Sequence, residues 1–162
     1  MLMMAGAKFS ASEMSAYCAS GAAAADKGCS YPMTRGGDET AYVPVAFGRP
    51  LKAVVVFDPA VGPGFTASGQ TQPVPTLVVG AVNNDFLPYA AHAGRIRTVV
   101  SGAEIVRLEN GEGHFVFVDQ CASSIEVMGV PLCSDRPGVD RRALHDRLAV
   151  IVEQFLARHL AL

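Results

Sequence analysis

The stretch Pro75-Thr-Leu-Val-Val-Gly80-Ala-Val-Asn-Asn-Asp85-Phe-Leu-Pro88, followed further on by Gly111-Glu-Gly-His114-Phe115, decides the fold class. Thr76 to Val79 is a short, continuous apolar run, as expected of a strand covered on both faces. Asn83, Asn84 and Asp85 close it with an acidic turn. Tyr89 to Val100 then reads as a crossing helix and Glu104 to Leu108 as the next strand. Strand, helix and strand within about thirty residues make one βαβ unit of a parallel sheet. The expectation is an α/β fold, with His114 in a glycine-rich loop after the last strand.

Working outward, Leu51-Lys-Ala-Val-Val-Val-Phe57 reads as another buried parallel strand, stopped by Asp58-Pro59. Ala60 to Pro73 is rich in glycine and proline and reads as an irregular loop at the strand's carboxyl end, where open α/β sheets bind ligands. Ahead of it, Met1 to Ala7 and Ser10 to Ser20 read as helices, the second opened by a capping box formed by Ser10 and Glu13. The chain divides as one incomplete domain: helices over 1–20, a loop over 21–50 centred on Gly36-Gly37-Asp38, a strand-helix core over 51–118, a cysteine-bearing loop over 119–138 and a terminal helix over 139–160. Asp140 caps that helix, and Leu144, Leu148, Ile151, Val152, Phe155 and His159 recur on one side of it.

The composition, 50% hydrophobic and 17% charged with a net charge of −2, is that of a core-forming globular chain. Its lysines and arginines are dispersed, which argues against nucleic acid. The apolar opening has no basic region before it and is broken by Lys8, so it reads as neither signal peptide nor membrane span. It resembles the body of a helix whose first turn lies upstream. The four cysteines fall as two close pairs, Cys18 with Cys29 and Cys121 with Cys133, without the Cys-x-x-Cys spacing of a zinc site. Two local disulfides are expected, each adding about 3 kcal/mol by restricting the unfolded chain, and they imply an exported parent protein, periplasmic or secreted. Free thiols are the alternative.

A histidine that exchanges protons needs a loop with small neighbours, so that the backbone can turn tightly and approach a substrate. Gly111-Glu112-Gly113-His114-Phe115 meets that demand, and it resembles the Gly-x-Gly-His-Phe loop of dienelactone-hydrolase-like and cutinase-like enzymes. The alternative for His114 is a helix cap, and His92, His145 and His159 read as core or surface residues. Cutinase-like sequences place a catalytic aspartate after a Val-Pro-Thr-Leu strand. Val74-Pro75-Thr76-Leu77, Gly80-Ala81 and Pro88 keep that register, but the slot falls on Asn84, one residue before Asp85. In sequences similar to platelet-activating-factor acetylhydrolase the acid instead follows the preceding apolar strand, as Asp58 does here. Asp58 is therefore the favoured acid and Asp85 the second choice. Their plainer readings are an Asx turn before proline and a helix N-cap.

The resemblance covers nearly the whole chain in order and spacing, and it implies the C-terminal part of an α/β-hydrolase. Such an enzyme would be a serine-dependent carboxylic-ester hydrolase using His114 and an aspartate, with no metal or organic cofactor, on small-molecule ester substrates. No Gly-x-Ser-x-Gly or Gly-x-Cys-x-Gly occurs in the 162 residues. The nucleophile elbow and oxyanion-hole donors would then lie upstream of Met1, and the chain alone would be inactive and prone to self-associate through an exposed sheet edge. The reading from another class is a non-catalytic remnant, or a module that binds a partner or ligand.

Overall fold

Residues 2, 7–30, 51–67 and 74–160 are described in the structure, a computed structural model. The centre of the molecule is a parallel sheet of three strands, β2 (Val54–Phe57), β4 (Thr76–Ala81) and β5 (Glu104–Leu108), in the order β2-β4-β5. All six residues of the central strand β4 are buried, which accounts for its unbroken apolar sequence. Side chains alternate across the sheet. Val54, Val56 and Val78 meet Ile96 and Val99 on one face. Leu77, Val79 and Leu108 meet Leu144, Leu148 and Phe155 of the terminal helix α3 (Arg141–Leu160) on the other. Helical segments therefore cover both faces, as expected of an α/β fold.

Several boundaries differ from the sequence expectation for physical reasons. β2 starts at Val54 rather than Leu51 because Val54 N–H opens the ladder on the carbonyl of Pro75, and Pro75 has no N–H to extend it backwards. β4 runs two residues past Val79, since Gly80 and Ala81 still pair with Arg107 and Leu108 of β5. The crossing helix expected over Tyr89 to Val100 is mostly absent. Only a 3₁₀ turn at Ala93–Arg95 and α2 (Ile96–Val99) are helical, because His92 has non-helical dihedrals (φ −111°, ψ −99°).

At the amino end, α1 (Ala11–Cys18) is capped by Ser10, whose hydroxyl accepts from Glu13 N–H at 3.2 Å. The reciprocal half of the capping box is replaced. Ser10 N–H donates to Gly64 O, beside a short antiparallel pairing of β1 (Lys8–Phe9) with β3 (Phe65–Thr66). That pairing places order inside the loop expected over 60–73. Ala7 and Leu2 lie outside any helix, and most of the helix expected over Met1 to Ala7 falls outside the described residues, as do 31–50 and 68–73. Two 3₁₀ turns, Gly21–Ala23 and Lys27–Ser30, break the loop expected from 21 onward. The cysteine loop holds a hairpin of β6 (Glu126–Val127) and β7 (Val130–Pro131).

Both expected disulfides are formed, Cys18–Cys29 and Cys121–Cys133. The second lies in the loop fastened by Arg141, the largest fully buried side chain. Its guanidinium grips both oxygens of Asp135 at 2.8 Å and donates to the carbonyls of Val118, Asp119 and Leu132. A buried charge with all three guanidinium nitrogens engaged holds α3, the loop and the segment after His114 together. Among the described residues no helix is long and apolar enough to cross a membrane.

Arg141→Ala strands Asp135 and three carbonyls and is expected to destabilise the fold by about 3–5 kcal/mol. Arg158→Ala removes a half-exposed pair with Glu104 and a contact over the Phe155 ring and is expected to cost about 1 kcal/mol. Urea unfolding separates the two, and equal losses would refute the anchoring role of Arg141. Peptide mapping without reductant is expected to recover the two local disulfides and no crossed linkage.

Candidate functional site

Three loops leave the carboxyl ends of β2, β4 and β5 and converge at one rim of the sheet. The first begins with Asp58, whose backbone still belongs to the ladder, its N–H donating to Val79 O at 2.8 Å. Its φ of 36° is left-handed, a conformation that aspartate tolerates better than most residues. The turn sends the carboxylate sideways under the end of β4. There Oδ1 accepts from Ala81 N–H at 2.8 Å and Oδ2 from the Asn84 carboxamide at 2.7 Å.

Asn84 is oriented without ambiguity. Its Oδ1 accepts from the N–H groups of both Phe86 and Leu87, at 2.8 and 2.7 Å, so only the NH₂ end can face Asp58. The same nitrogen lies 3.4 Å from Nδ1 of His114. Asn84 thus occupies the slot that the β4 register marked, but as a donor to a carboxylate brought from the neighbouring strand.

His114 enters from the loop after β5 with its ring flat against Phe86, centroids 5.1 Å apart and planes 16° off parallel. Its Nδ1 is 3.5 Å from Asp58 Oδ2, an electrostatic contact longer than a hydrogen bond. Asp58 is almost wholly buried, whereas His114 keeps 22% of its side chain exposed. With Nδ1 turned to the carboxylate, Nε2 is on the far side of the ring. No hydrogen-bond partner occupies it among the described residues.

Asp85 does something else. Its Oδ1 accepts from the backbone N–H of His114 at 3.0 Å, and Oδ2 meets Arg136 at 3.3 Å. Arg136 also donates to the carbonyls of Asn83 and Gly111, strapping the β4 and β5 loops together. A side chain at Gly113 would put Cβ 2.8 Å from Asp85 Oδ2, so it would have to push the carboxylate aside. Asp85 caps no helix, contrary to its plainer reading. Sequence reasoning missed Arg136, Phe86 and the bridging use of Asn84. It also left without a specific role His145, which donates to Val116 O at 2.7 Å and ties the His114 segment to α3.

Burial pushes the Asp58 carboxyl above the ordinary aspartate value, outweighing the opposing influence of His114, Ala81 N–H and Asn84. A carboxylate so poorly solvated is relieved by a positive charge beside it, which is what His114 becomes on taking a proton. The arrangement can accept a proton at Nε2 and compensate the resulting imidazolium at Nδ1. Among the described residues no group of three His, Cys, Asp or Glu side chains is placed to hold a metal ion.

Beside this rim an open apolar groove of about 700 Å³ runs between Phe57 and Phe117 on one side and Leu148, Val152 and Leu156 of α3 on the other. A smaller cavity of about 190 Å³ lies behind the His114 loop, lined by Asp85, Gly113, Phe115, Pro131 and Arg136. The cysteine loop therefore reaches the neighbourhood of His114. The larger groove was not foreseen. No protein-family model, no curated protein and no solved structure matches this chain.

The raised affinity of Asp58 for its proton has a consequence for stability. Between the ordinary and the raised value the folded chain binds more protons than the unfolded one, so the contribution of Asp58 falls as pH rises through that interval. Asp58→Asn does not titrate. Its stability relative to the parent is therefore expected to shift in the variant's favour as pH increases from about 3 towards neutrality, read from urea midpoints across the series. A shift in the opposite sense would show that the hydrogen bonds, rather than burial, dominate.

Proposed function

We propose that this chain supplies the general base and the acid of a serine-dependent carboxylic-ester hydrolase of the α/β-hydrolase fold, with His114 as base and Asp58 as acid. The observation that carries the reading is the two-sided placement of His114, with Nδ1 against a buried carboxylate and Nε2 without a partner among the described residues. In this mechanism Nε2 removes the proton from an attacking serine hydroxyl and later returns it to the leaving alcohol. Asp58 keeps the other nitrogen protonated and compensates the imidazolium. The 3.5 Å separation suits a resting state that tightens when the acyl substrate binds. Asp85 belongs to the scaffold in this reading, because it holds the His114 backbone rather than the ring.

The nucleophile and oxyanion donors come, in this proposal, from a strand-turn-helix segment outside the 162 residues. β2 has a neighbour on one side only among the described residues, and its last residue, Phe57, is 41% exposed. An added strand would continue the sheet along that edge, and its helix would cover the apolar groove. Without it the same edge favours self-association. The substrate is a small-molecule ester. A non-catalytic binding module draws on the same groove and differs in needing no proton acceptor.

The chain alone is expected to leave a p-nitrophenyl ester unhydrolysed, since a nucleophile and oxyanion hole supply the largest contributions to acyl transfer. Activity of this chain that disappeared in His114→Ala would falsify the missing-nucleophile element. In a longer protein carrying the serine, Asp58→Asn is expected to lower kcat by about ten-thousand-fold, as for the orienting aspartate of a serine protease. Asp85→Asn should cost about tenfold or less, consistent with a supporting contact. The reverse ranking transfers the acid's role to Asp85, full activity in both variants removes both aspartates from the catalytic apparatus, and a serine-bearing parent protein with no ester-hydrolysing activity removes the hydrolase reading.

A further inference from the structure

A second histidine–carboxylate pair lies wholly inside the molecule. Nε2 of His92 is 2.6 Å from Oδ2 of Asp26, and neither side chain is more than 1% exposed. On the other side of the ring, Nδ1 is 3.2 Å from the backbone nitrogen of Gly62. A backbone N–H can only donate, so Nδ1 holds a lone pair and the proton resides on Nε2, donated to Asp26. The second oxygen of Asp26 accepts from Gly28 N–H at 2.8 Å. With both ring nitrogens engaged and no access to solvent, this pair has no free site at which to exchange a proton with a substrate.

What the pair does is set by Gly62. Between Asp58 and Gly62 the chain makes a tight turn containing two left-handed non-glycine residues, Asp58 at φ 36° and the β-branched Val61 at φ 55°. Such conformations persist only where the surroundings over-determine them. The start of the turn is pinned to β4 through Asp58. Its end is pinned through Gly62, which packs so closely that a Cβ there would collide with the carbonyl oxygen of Ala91 and Cα of His92. The carboxylate side of the pair is anchored too. Cys29 N–H donates to Asp26 O beside the Cys18–Cys29 disulfide, and Lys27 N–H donates to the carbonyl of Phe86, the residue stacked on His114.

We propose that His92, oriented by Asp26, is a positioning residue for Asp58: it clamps the far end of the strained 58–61 turn and so keeps the carboxylate aimed at His114. The functional importance of the clamp rests on the reading of Asp58 as the acid, but its test does not use activity. Hydrogen exchange resolved to single amides reads the Asp58 carboxylate through Ala81 N–H, its donor, and reads the clamp through Gly62 N–H. In His92→Leu, which removes the acceptor, both amides are expected to exchange at least about tenfold faster while β5 keeps its protection, equivalent to local opening easier by about 1.4 kcal/mol. His92→Asn places an oxygen near the former Nδ1 and is expected to restore most of the protection of both amides. A general structural role would instead loosen β5 as well and would show no such rescue.

If His92→Leu does not fold, Asp26→Asn carries the test, with a smaller acceleration expected at the same two amides. Parental exchange at Ala81 in whichever of these variants folds overturns the clamp, whatever the esterase assays show. Conversely, an inactive serine-bearing parent protein would remove the hydrolase reading while leaving an observed effect at Ala81 in place.

Discussion

The carboxylate of Asp58 is the point at which the three loops of the site depend on one another. It is almost completely buried, yet it is held above its ordinary proton affinity by that burial rather than neutralised by an adjacent permanent cation. What makes it tolerable is a set of donors from other segments: the end of β4 through Ala81, the following turn through Asn84, and the approach of the His114 ring. Remove it, and the Asn84 carboxamide loses the acceptor that completes its bridge. The arrangement places a poorly solvated negative charge beside a ring whose Nε2 has no partner among the described residues, which is the electrostatic condition the proposed base needs.

The two aspartates at this rim come from the loops after different strands and serve opposite ends of His114. Asp58 faces the ring; Asp85 takes the backbone N–H and, through Arg136, binds two loops into a unit. A Cβ at Gly113 would displace the Asp85 carboxylate that passes beside it. The glycine-rich character of the His114 loop thus has a local cause that is independent of any substrate. Phe86 joins both systems, since its N–H is bonded by Asn84 and its ring carries the imidazole.

Behind the site, the buried His92–Asp26 pair and the Arg141–Asp135 pair solve the same problem in different places. Each fastens irregular segments of chain by satisfying backbone groups that would otherwise be buried without partners. In front of it, β2 has no strand on its outer side among the described residues, and an open apolar groove runs along α3. Their adjacency to Asp58 is what ties the proposal of a catalytic partner segment to the geometry.

From sequence alone the α/β class was legible, together with the parallel strands, the terminal helix with its Asp140 cap and the local cysteine pairs; His114 does follow the last strand, but it opens a short 3₁₀ helix, His114–Phe117, rather than lying in the loop itself. All of these rest on short-range regularities: apolar runs, capping residues and spacing along the chain. The choice between Asp58 and Asp85 as neighbours of the ring was only favoured, since it depends on which strand lies beside which and on a left-handed turn that a non-glycine residue does not advertise. The crossing helix failed because the backbone at His92 is non-helical and its ring is engaged by Gly62 and Asp26, distant residues that no local pattern can report. Arg136, Arg141 and the bridging carboxamide of Asn84 were illegible for the same reason. A polar side chain's partners are set by what the fold brings within 3.5 Å, whereas hydrophobic periodicity is written in the chain itself.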